Sequence, residues 1–114
     1  MSVSIISHNS QFGTAGQIFA EDIPEIAAAG YKTVIDNRPD FEGGTDQPLH
    51  TDIEQVVKAA GLSFAYLPVI SGQITQAQVQ QMSELLDALP KPILAFCRSG
   101  ARSTHLYQLA LQLG

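Results

Sequence analysis

The sequence contains a single cysteine, Cys97, and no tryptophan. One cysteine excludes an internal disulfide and a cysteine-based metal cage. The three histidines, at positions 8, 50 and 105, are scattered and lack the spacing of metal ligands. We therefore expect neither a metal nor a cofactor, and we expect any chemistry to come from the side chains of the protein itself.

Charge and long apolar runs are also scarce. Charged residues make up 15% of the chain, and the formal net charge of −5 argues against binding to nucleic acid or to an anionic membrane. No apolar run approaches the roughly 18–20 residues of a membrane span. The first residues lack the basic start and long apolar core of a signal peptide. We therefore expect a cytoplasmic location, where a lone thiol stays reduced.

The remaining composition is that of a globular domain. Apolar residues make up 45% of 114 residues, and no linker or internal repeat is visible, so we expect one domain over residues 1–114. Periodicity and breakers predict helices over 19–29, 52–60 and 75–89, a last helix after the Cys97 segment, and strands over 31–36, 62–69 and 92–96. Thr75 and Gln78 fit a capping box at the start of the third helix.

This order of elements predicts an α/β fold. The pattern βαβαβα indicates three layers, with a mainly parallel sheet flanked by helices on both sides. Residues 4–7 and 11–14 could add a short hairpin at the edge of the sheet. The continuous apolar run before Cys97 suits a strand that is buried on both faces.

The segment from Cys97 to Ser103 carries the chemistry. Ligands of open α/β sheets bind beyond the carboxyl ends of the strands, where Cys97 stands. The backbone N–H groups of residues 98–102 can curl around an anion, and the following helix directs its positive end to the same point. Arg102 adds a guanidinium fork, and Gly100 permits a tight turn. These features lower the thiol pKa and predict a thiolate nucleophile.

The predicted catalytic residues are Cys97 and Arg102. Ser103 could donate a hydrogen bond to the sulfur or to a leaving group. The alternative, a buried structural cysteine, is disfavoured because two arginines and two serines flank the thiol. The predicted substrate-binding residues are Arg98, Ser99, Gly100, Ala101, Ser103 and Arg38.

Three further residues lie near the same edge of the sheet. Arg38 could gather an anionic substrate, or it could form a structural ion pair. Asp36 and Asp40 could act as acids, but a turn-forming role or pairing with Arg38 is favoured for both.

Four segments carry a resemblance to known proteins. They read Ser-Gln-Phe followed by Ala-Gly-Gln-Ile near the start, Thr-Val-Ile-Asp-Asn-Arg-Pro-Asp at 33–40, Leu-Pro-Val-Ile-Ser-Gly-Gln-Ile-Thr at 67–75, and Leu-Ala-Phe-Cys-Arg-Ser-Gly-Ala-Arg-Ser at 94–103. The chain resembles the bacterial family of beta-lactamase-hydrolase-like, phosphatase-like domains, within the dual-specificity branch of cysteine-dependent phosphatases. The Cys-x4-Arg loop itself resembles that of single-domain rhodaneses.

The resemblance implies a cysteine-phosphatase-like fold, with Cys97 as nucleophile and Arg102 binding an oxyanion. Two departures from phosphatases affect the expected reaction. Those enzymes use Cys-x5-Arg, whereas four residues separate Cys97 from Arg102 here. They also carry an aspartic acid in the stretch that corresponds to residues 70–73, which here contains no carboxylate.

Three hypotheses about function follow. The leading one is a sulfurtransferase, in which Cys97 takes sulfur from thiosulfate or a persulfide and passes it to a thiol acceptor. The second is a phosphatase that hydrolyses a phosphate ester through phosphocysteine. The third is a non-catalytic module that binds anions or senses redox state. Related domains also occur fused to persulfide-oxidising metal domains, which fits the first hypothesis by association.

Overall fold

The computed structural model of the chain describes residues 3–113. The five strands are β1 (Ile5–Asn9), β2 (Phe12–Ala15), β3 (Thr33–Asp36), β4 (Ser63–Tyr66) and β5 (Ile93–Phe96). The four α-helices are α1 (Ile23–Ala28), α2 (His50–Ala59), α3 (Gln76–Ala88) and α4 (Ala101–Leu111). Two 3₁₀ turns cover Ala20–Asp22 and Gly44–Asp46.

The strands form one sheet in the order β1-β2-β5-β3-β4. Strand β5 lies at its centre and pairs in parallel with β2 and β3, and β3 pairs in parallel with β4. Strands β1 and β2 form an antiparallel hairpin. The predicted α/β fold with a mainly parallel sheet is therefore confirmed. The expected hairpin is also present, and its second strand belongs to the parallel part of the sheet.

The central strand divides the core between two faces. Ile93 and Ala95 pack on the side of α3 and α4, whereas Leu94 and Phe96 pack on the side of α1 and α2. All four side chains are buried, as expected for a strand covered on both faces. The result is the predicted three-layer arrangement of helices, sheet and helices.

The ends of the helices follow local sequence signals. The capping box is formed, because Gln78 N–H donates to Thr75 Oγ1 at 3.2 Å and Thr75 N–H donates to Gln78 Oε1 at 2.9 Å. The predicted helix over 19–29 is instead divided into a 3₁₀ turn and α1. Pro24 explains this division, because proline has no N–H and favours the first turn of an α-helix. Within residues 3–113, no helix is long and apolar enough to cross a membrane.

Candidate active site

Cys97 lies at the carboxyl end of the central strand, between the ends of its two neighbours. Its N–H donates to the carbonyl of Ala15 at 3.3 Å, at the end of β2. On the other side, Asn37 N–H donates to Phe96 O at 2.9 Å, just beyond β3. The cysteine is only 1% exposed. The backbone of three parallel strands thus fixes the position of the thiol.

Two glycines allow the segment after β2 to pack against the Cys97 loop. A Cβ on Gly16 would lie 3.0 Å from the carbonyl oxygen of Arg98. Gly100 has a φ of +93°, and a Cβ there would lie 3.3 Å from the carbonyl group of Ala15. A larger residue at either position would push the two segments apart. This contact explains why the Ala-Gly-Gln-Ile segment matters although it lies far from Cys97 in sequence.

The loop surrounds the sulfur with hydrogen-bond donors. Gly100 N–H donates to Cys97 Sγ at 3.1 Å. Burial raises the pKa of the thiol, but the N–H and hydroxyl of Ser103 and the N–H groups of Ser99 and Gly100 outweigh it, so that the pKa is lowered overall. The donors stabilise the anion, and a larger fraction of Cys97 is therefore thiolate at neutral pH.

The hydroxyl of Ser103 lies between two acceptors. It donates to Asn37 Oδ1 at 2.9 Å, and it also lies close enough to Cys97 to lower the thiol pKa. Asn37 is itself fixed, because its Nδ2 donates to Leu67 O at 3.0 Å. A hydroxyl has one hydrogen, and an ionised sulfur is a stronger acceptor than an amide oxygen. We therefore expect this hydrogen to turn towards Sγ when the thiolate forms.

Glu42 and a backbone carbonyl orient the guanidinium group of Arg102. Arg102 Nη1 and Nη2 donate to the two carboxylate oxygens of Glu42 at 3.0 Å each, and Nη1 also donates to Val69 O at 2.9 Å. The Nε atom is buried and has no partner among the described residues. The end of the fork is thus occupied, while the edge formed by Nε and Nη2 retains hydrogens that have no acceptor among the described residues.

Arg38 shares the same carboxylate. Its Nε donates to Glu42 Oε1 at 3.0 Å, and its Nη1 donates to Gln17 Oε1 at 3.0 Å. Burial raises the pKa of Glu42, but hydrogen bonds from Arg102 and Arg38 prevail and lower it. Arg38 therefore forms the ion pair considered from the sequence, and it also lines the cleft beside Cys97.

The cleft in front of the thiol has a volume of about 690 Å³ and brings most of the predicted site residues together. Its lining includes Cys97, Arg98, Ser99, Ala101, Arg102 and Arg38. The side chains of Arg98 and Ser99 face solvent at its mouth, whereas Gly100 and Ser103 are buried behind it. Among the described residues that line the cleft, Glu42 is the single carboxylate.

Asp36 and Asp40 lie outside this lining. Asp36 is buried and accepts Arg38 N–H at 2.8 Å, and burial raises its pKa to about 7. Asp40 accepts from His50 Nδ1 at 2.6 Å and from His50 N–H at 2.8 Å. The ring of His50 also stacks on the ring of Tyr66, with the two centroids 3.7 Å apart. Both aspartates hold the turn after β3, as the favoured interpretation predicted.

Sequence reasoning missed three polar side chains that organise the site. Glu42, Gln17 and Asn37 orient Arg102, Arg38 and Ser103 respectively. Glu42 follows Arg38 by four residues, a spacing that indicates a pair on a helix. Residues 38–42 lie outside the predicted helices and form no helix in the structure, so this spacing could not be used to predict the pair. Asn37 and Gln17 lie far from their partners in the sequence, and the order of the strands in the sheet brings them together.

A buried cysteine of lowered thiol pKa after a central parallel strand, followed by an arginine in the first turn of a helix, defines a phosphatase-like cysteine site on an α/β fold. The chain belongs to the family described as "Beta-lactamase hydrolase-like protein, phosphatase-like domain", whose match covers residues 5–113. The expected family is thereby confirmed.

Two curated relatives are named beta-lactamase hydrolase-like proteins. The one from Agrobacterium fabrum strain C58 is 33% identical over 101 residues, which cover 89% of this chain and 23% of the relative. The one from Xylella fastidiosa strain Temecula1 is 30% identical over 108 residues, which cover 95% of this chain and 25% of the relative. The chain thus spans about a quarter of the length of these relatives.

Solved structures share the fold. A candidate phosphatase from Neisseria meningitidis Z2491 has a TM-score of 0.84 and is 33% identical, covering 90% of this chain and 72% of its own. Pseudomonas aeruginosa TpbA has a TM-score of 0.72 at 17% identity, covering 96% of this chain and 65% of its own. A Cys-to-Ser variant of TpbA, solved in complex with pTyr, has a TM-score of 0.69 at 18% identity, covering 95% of this chain and 64% of its own.

Proposed function

We propose that this chain is a sulfurtransferase on a phosphatase-like fold. Cys97 takes a sulfane sulfur from a small anionic donor, thiosulfate or a persulfide, and passes it to a thiol acceptor. The observation that carries the proposal is the state of the one carboxylate among the described residues of the cleft. Glu42 is held ionised by two guanidinium groups, so it has no proton to give to a leaving group.

The missing acid matters differently in the two reactions. When a thiolate attacks a phosphate monoester, the leaving alkoxide needs a proton, and a positioned acid contributes about 10²–10⁴-fold to the rate. When a thiolate attacks the outer sulfur of thiosulfate, a new sulfur–sulfur bond forms and the old one breaks. Sulfite leaves with the bonding electron pair and needs no proton. The described residues of the cleft thus lack a proton donor that only the phosphatase reaction requires.

The second half of the reaction returns the enzyme to its starting state. An acceptor thiolate attacks the outer sulfur of the Cys97 persulfide, the bond to Sγ breaks, and Cys97 leaves as a thiolate. The donors that lower the thiol pKa also make Cys97 a better leaving group here. Reduced thiols are needed both as acceptor and as nucleophile, which fits a cytoplasmic location.

The loop and the guanidinium edge fit a small oxyanion. Four residues between Cys97 and Arg102 make a shorter ring than the five of the related phosphatases. The free Nε–Nη2 edge of Arg102 suits two oxygens of a sulfonate-like group, with the sulfane sulfur directed at Sγ. The cleft is much wider than thiosulfate and leaves room for a thiol acceptor beside Arg38 and Arg98.

Hydrolysis of a phosphate ester through phosphocysteine is the second candidate. It is supported by the phosphatase-like family of the chain and by the pTyr complex of TpbA, a protein with a similar fold. This reaction would need water or a bound group to take the role of the acid.

One paired assay separates the two candidates. Transfer of sulfur from thiosulfate to cyanide and hydrolysis of an aryl phosphate are measured on the same preparation, with Cys97→Ser as the control. We expect sulfur transfer that is abolished by Cys97→Ser, and little phosphatase turnover. Strong Cys97-dependent hydrolysis without sulfur transfer would overturn the proposal in favour of the phosphatase. Absence of both activities would favour a module that only binds anions or senses redox state.

A further inference from the structure

A row of polar side chains connects the edge of the sheet to the active-site loop. His8 Nε2 on β1 lies 2.9 Å from Thr14 Oγ1 on β2, which lies 3.1 Å from Thr104 Oγ1 on α4. The Thr104 hydroxyl donates to the carbonyl oxygen of Gly100 at 2.9 Å. Thr14 is fully buried, so its hydroxyl depends on these protein partners. The proposed sulfur transfer does not use this row.

If all three contacts of the row are hydrogen bonds at once, counting hydrogens gives their direction. The one hydrogen of the Thr104 hydroxyl goes to Gly100 O, so Thr14 must donate to Thr104. The one hydrogen of Thr14 is then used, and His8 Nε2 must carry a hydrogen and donate it to Thr14. His8 Nε2 also lies 3.4 Å from Thr104 Oγ1, a secondary contact of the same donor. The row therefore runs from His8 through both threonines to the loop.

The row of polar side chains ends at the carbonyl group of Gly100. This carbonyl belongs to the same peptide unit as the N–H of Ala101. Gly100 O accepts both the Thr104 hydroxyl at 2.9 Å and Thr104 N–H at 3.0 Å. Ala101 N–H stands at the start of α4, where N–H groups have no partner within the helix, and Ala101 lines the cleft. Its contact is a long one, to the exposed hydroxyl of Ser99 at 3.4 Å, which an anion in the cleft would replace. Hydrogen bonds to the carbonyl polarise the peptide and strengthen its N–H as a donor.

We propose that His8, Thr14 and Thr104 form a directed hydrogen-bond relay that fixes and polarises the Gly100–Ala101 peptide for anion binding. The relay makes His8 and Thr14 positioning residues for the Cys97 site, although neither lines the cleft. The inference rests on Cys97 being the nucleophile of the proposed function. It can be tested on the free thiol, without any turnover.

The test compares two alkylating agents on the reduced protein at neutral pH. Iodoacetate carries a carboxylate that the loop can bind, whereas iodoacetamide is neutral, so the ratio of their rates with Cys97 reports anion binding by the loop. Thr14→Val keeps the shape of the side chain and removes the hydroxyl in the middle of the relay. We expect the iodoacetate-to-iodoacetamide ratio to fall about three- to tenfold in Thr14→Val.

Two variants control for packing. Thr14→Ser restores a hydroxyl, and the ratio should return to within about twofold of the original. Thr33→Val removes another buried hydroxyl beside β5, one that donates to Pro90 O at 2.7 Å and lies outside the relay. It should leave the ratio unchanged. An unchanged ratio in a folded Thr14→Val, or an equal fall in Thr33→Val, would overturn the relay.

A second measurement keeps the inference testable if Thr14→Val does not fold. The ¹⁵N shifts of the His8 ring in the unmodified protein at alkaline pH should show the tautomer with hydrogen on Nε2. A neutral ring with hydrogen on Nδ1 instead would contradict the direction of the relay. Loss of sulfur transfer in the wild type would count against the proposed function and leave both of these readouts intact.

Discussion

Glu42 binds the end of the Arg102 guanidinium group through both of its carboxylate oxygens, with each contact at 3.0 Å. The same carboxylate accepts Arg38 Nε, so that one negative charge orients two arginines beside the thiol. The pairing occupies the end of the Arg102 guanidinium group and leaves the Nε–Nη2 edge without a partner among the described residues. We infer that Glu42 positions Arg102 for oxyanion binding, and its ionised state leaves the described residues of the cleft without an acid.

Glu42→Gln should lower kcat/KM for sulfur transfer about ten- to a hundredfold, the usual effect of losing charge-assisted hydrogen bonds. The amide can accept one hydrogen bond, but its NH₂ group would face a guanidinium group. Steady-state kinetics with thiosulfate measure the effect. Glu84→Gln is the control, because Glu84 is exposed on α3, away from the cleft, and accepts a hydrogen bond from Gln80 Nε2 at 3.3 Å. Equal activity of both variants would remove Glu42 from the site.

Arg102→Lys should raise KM for thiosulfate at least about tenfold, although the charge is retained. A lysine ammonium cannot present the Nε–Nη2 edge that the structure leaves free. Arg98→Lys is the matched control, since Arg98 also lines the cleft but is exposed and would act through its charge, which lysine retains, so KM should stay within about twofold. If the two variants have the same KM, the guanidinium edge has no special role.

The pH dependence of Cys97 alkylation tests the electrostatics of the loop. Because the loop donors lower the thiol pKa, the midpoint of the iodoacetamide rate should lie below 9.0, the ordinary pKa of the thiol. Ser103→Ala removes the hydroxyl donor and should move the midpoint upward. Ser99→Ala keeps its N–H, and the exposed hydroxyl that it loses accepts Ala101 N–H at 3.4 Å rather than donating to Sγ, so it should not move the midpoint. Coinciding curves for wild type and Ser103→Ala would contradict this account.

The raised pKa of Asp36 predicts that the stability of the fold depends on pH. Its pKa is raised from 3.8 to about 7 by burial, so the folded chain holds this proton where the unfolded chain releases it. Its contribution to the free energy of unfolding is therefore largest below pH 3.8 and is lost as pH rises towards 7.

Asp36→Asn has no carboxyl group to ionise, so its free energy of unfolding should not fall as the pH rises towards 7. The amide oxygen still accepts the hydrogen bond from Arg38 N–H. Urea unfolding should show little difference between variant and wild type near about pH 4. The variant should be more stable near about pH 8, by up to about 4 kcal/mol. Asp52→Asn on the exposed start of α2 is the control. A difference that stays constant with pH would rule out the raised pKa.

Local patterns in the sequence predict much of this fold. The alternation of apolar runs with capped helices gives the order of elements, because each element must bury one face against the sheet. The Thr75–Gln78 capping box and the buried strand before Cys97 are local signals of this kind. The prediction of helix ends was less accurate. The helix predicted over 19–29 is divided into a 3₁₀ turn and α1, which has Pro24 in its first turn.

The site was predictable where its residues are neighbours in sequence. The loop from Cys97 to Ser103 is read from the chain, because its donors and its sulfur lie within one turn. The loop contacts three residues from distant parts of the chain, Glu42, Gln17 and Asn37. They come close to it because β5 lies between β2 and β3 in the sheet. No pattern along the chain indicates these contacts, since they arise from strand order and from loops without periodicity.

The most direct test of the central claim is the mass of the intact protein after treatment with thiosulfate and removal of excess reagent. If Cys97 accepts a sulfane sulfur without an acid, the wild type should gain one sulfur, about 32 Da, and Cys97→Ser should gain none. Addition of a thiol should remove the extra mass. An unchanged mass in a wild-type protein whose thiol is alkylated readily by iodoacetate would contradict sulfur transfer at this site.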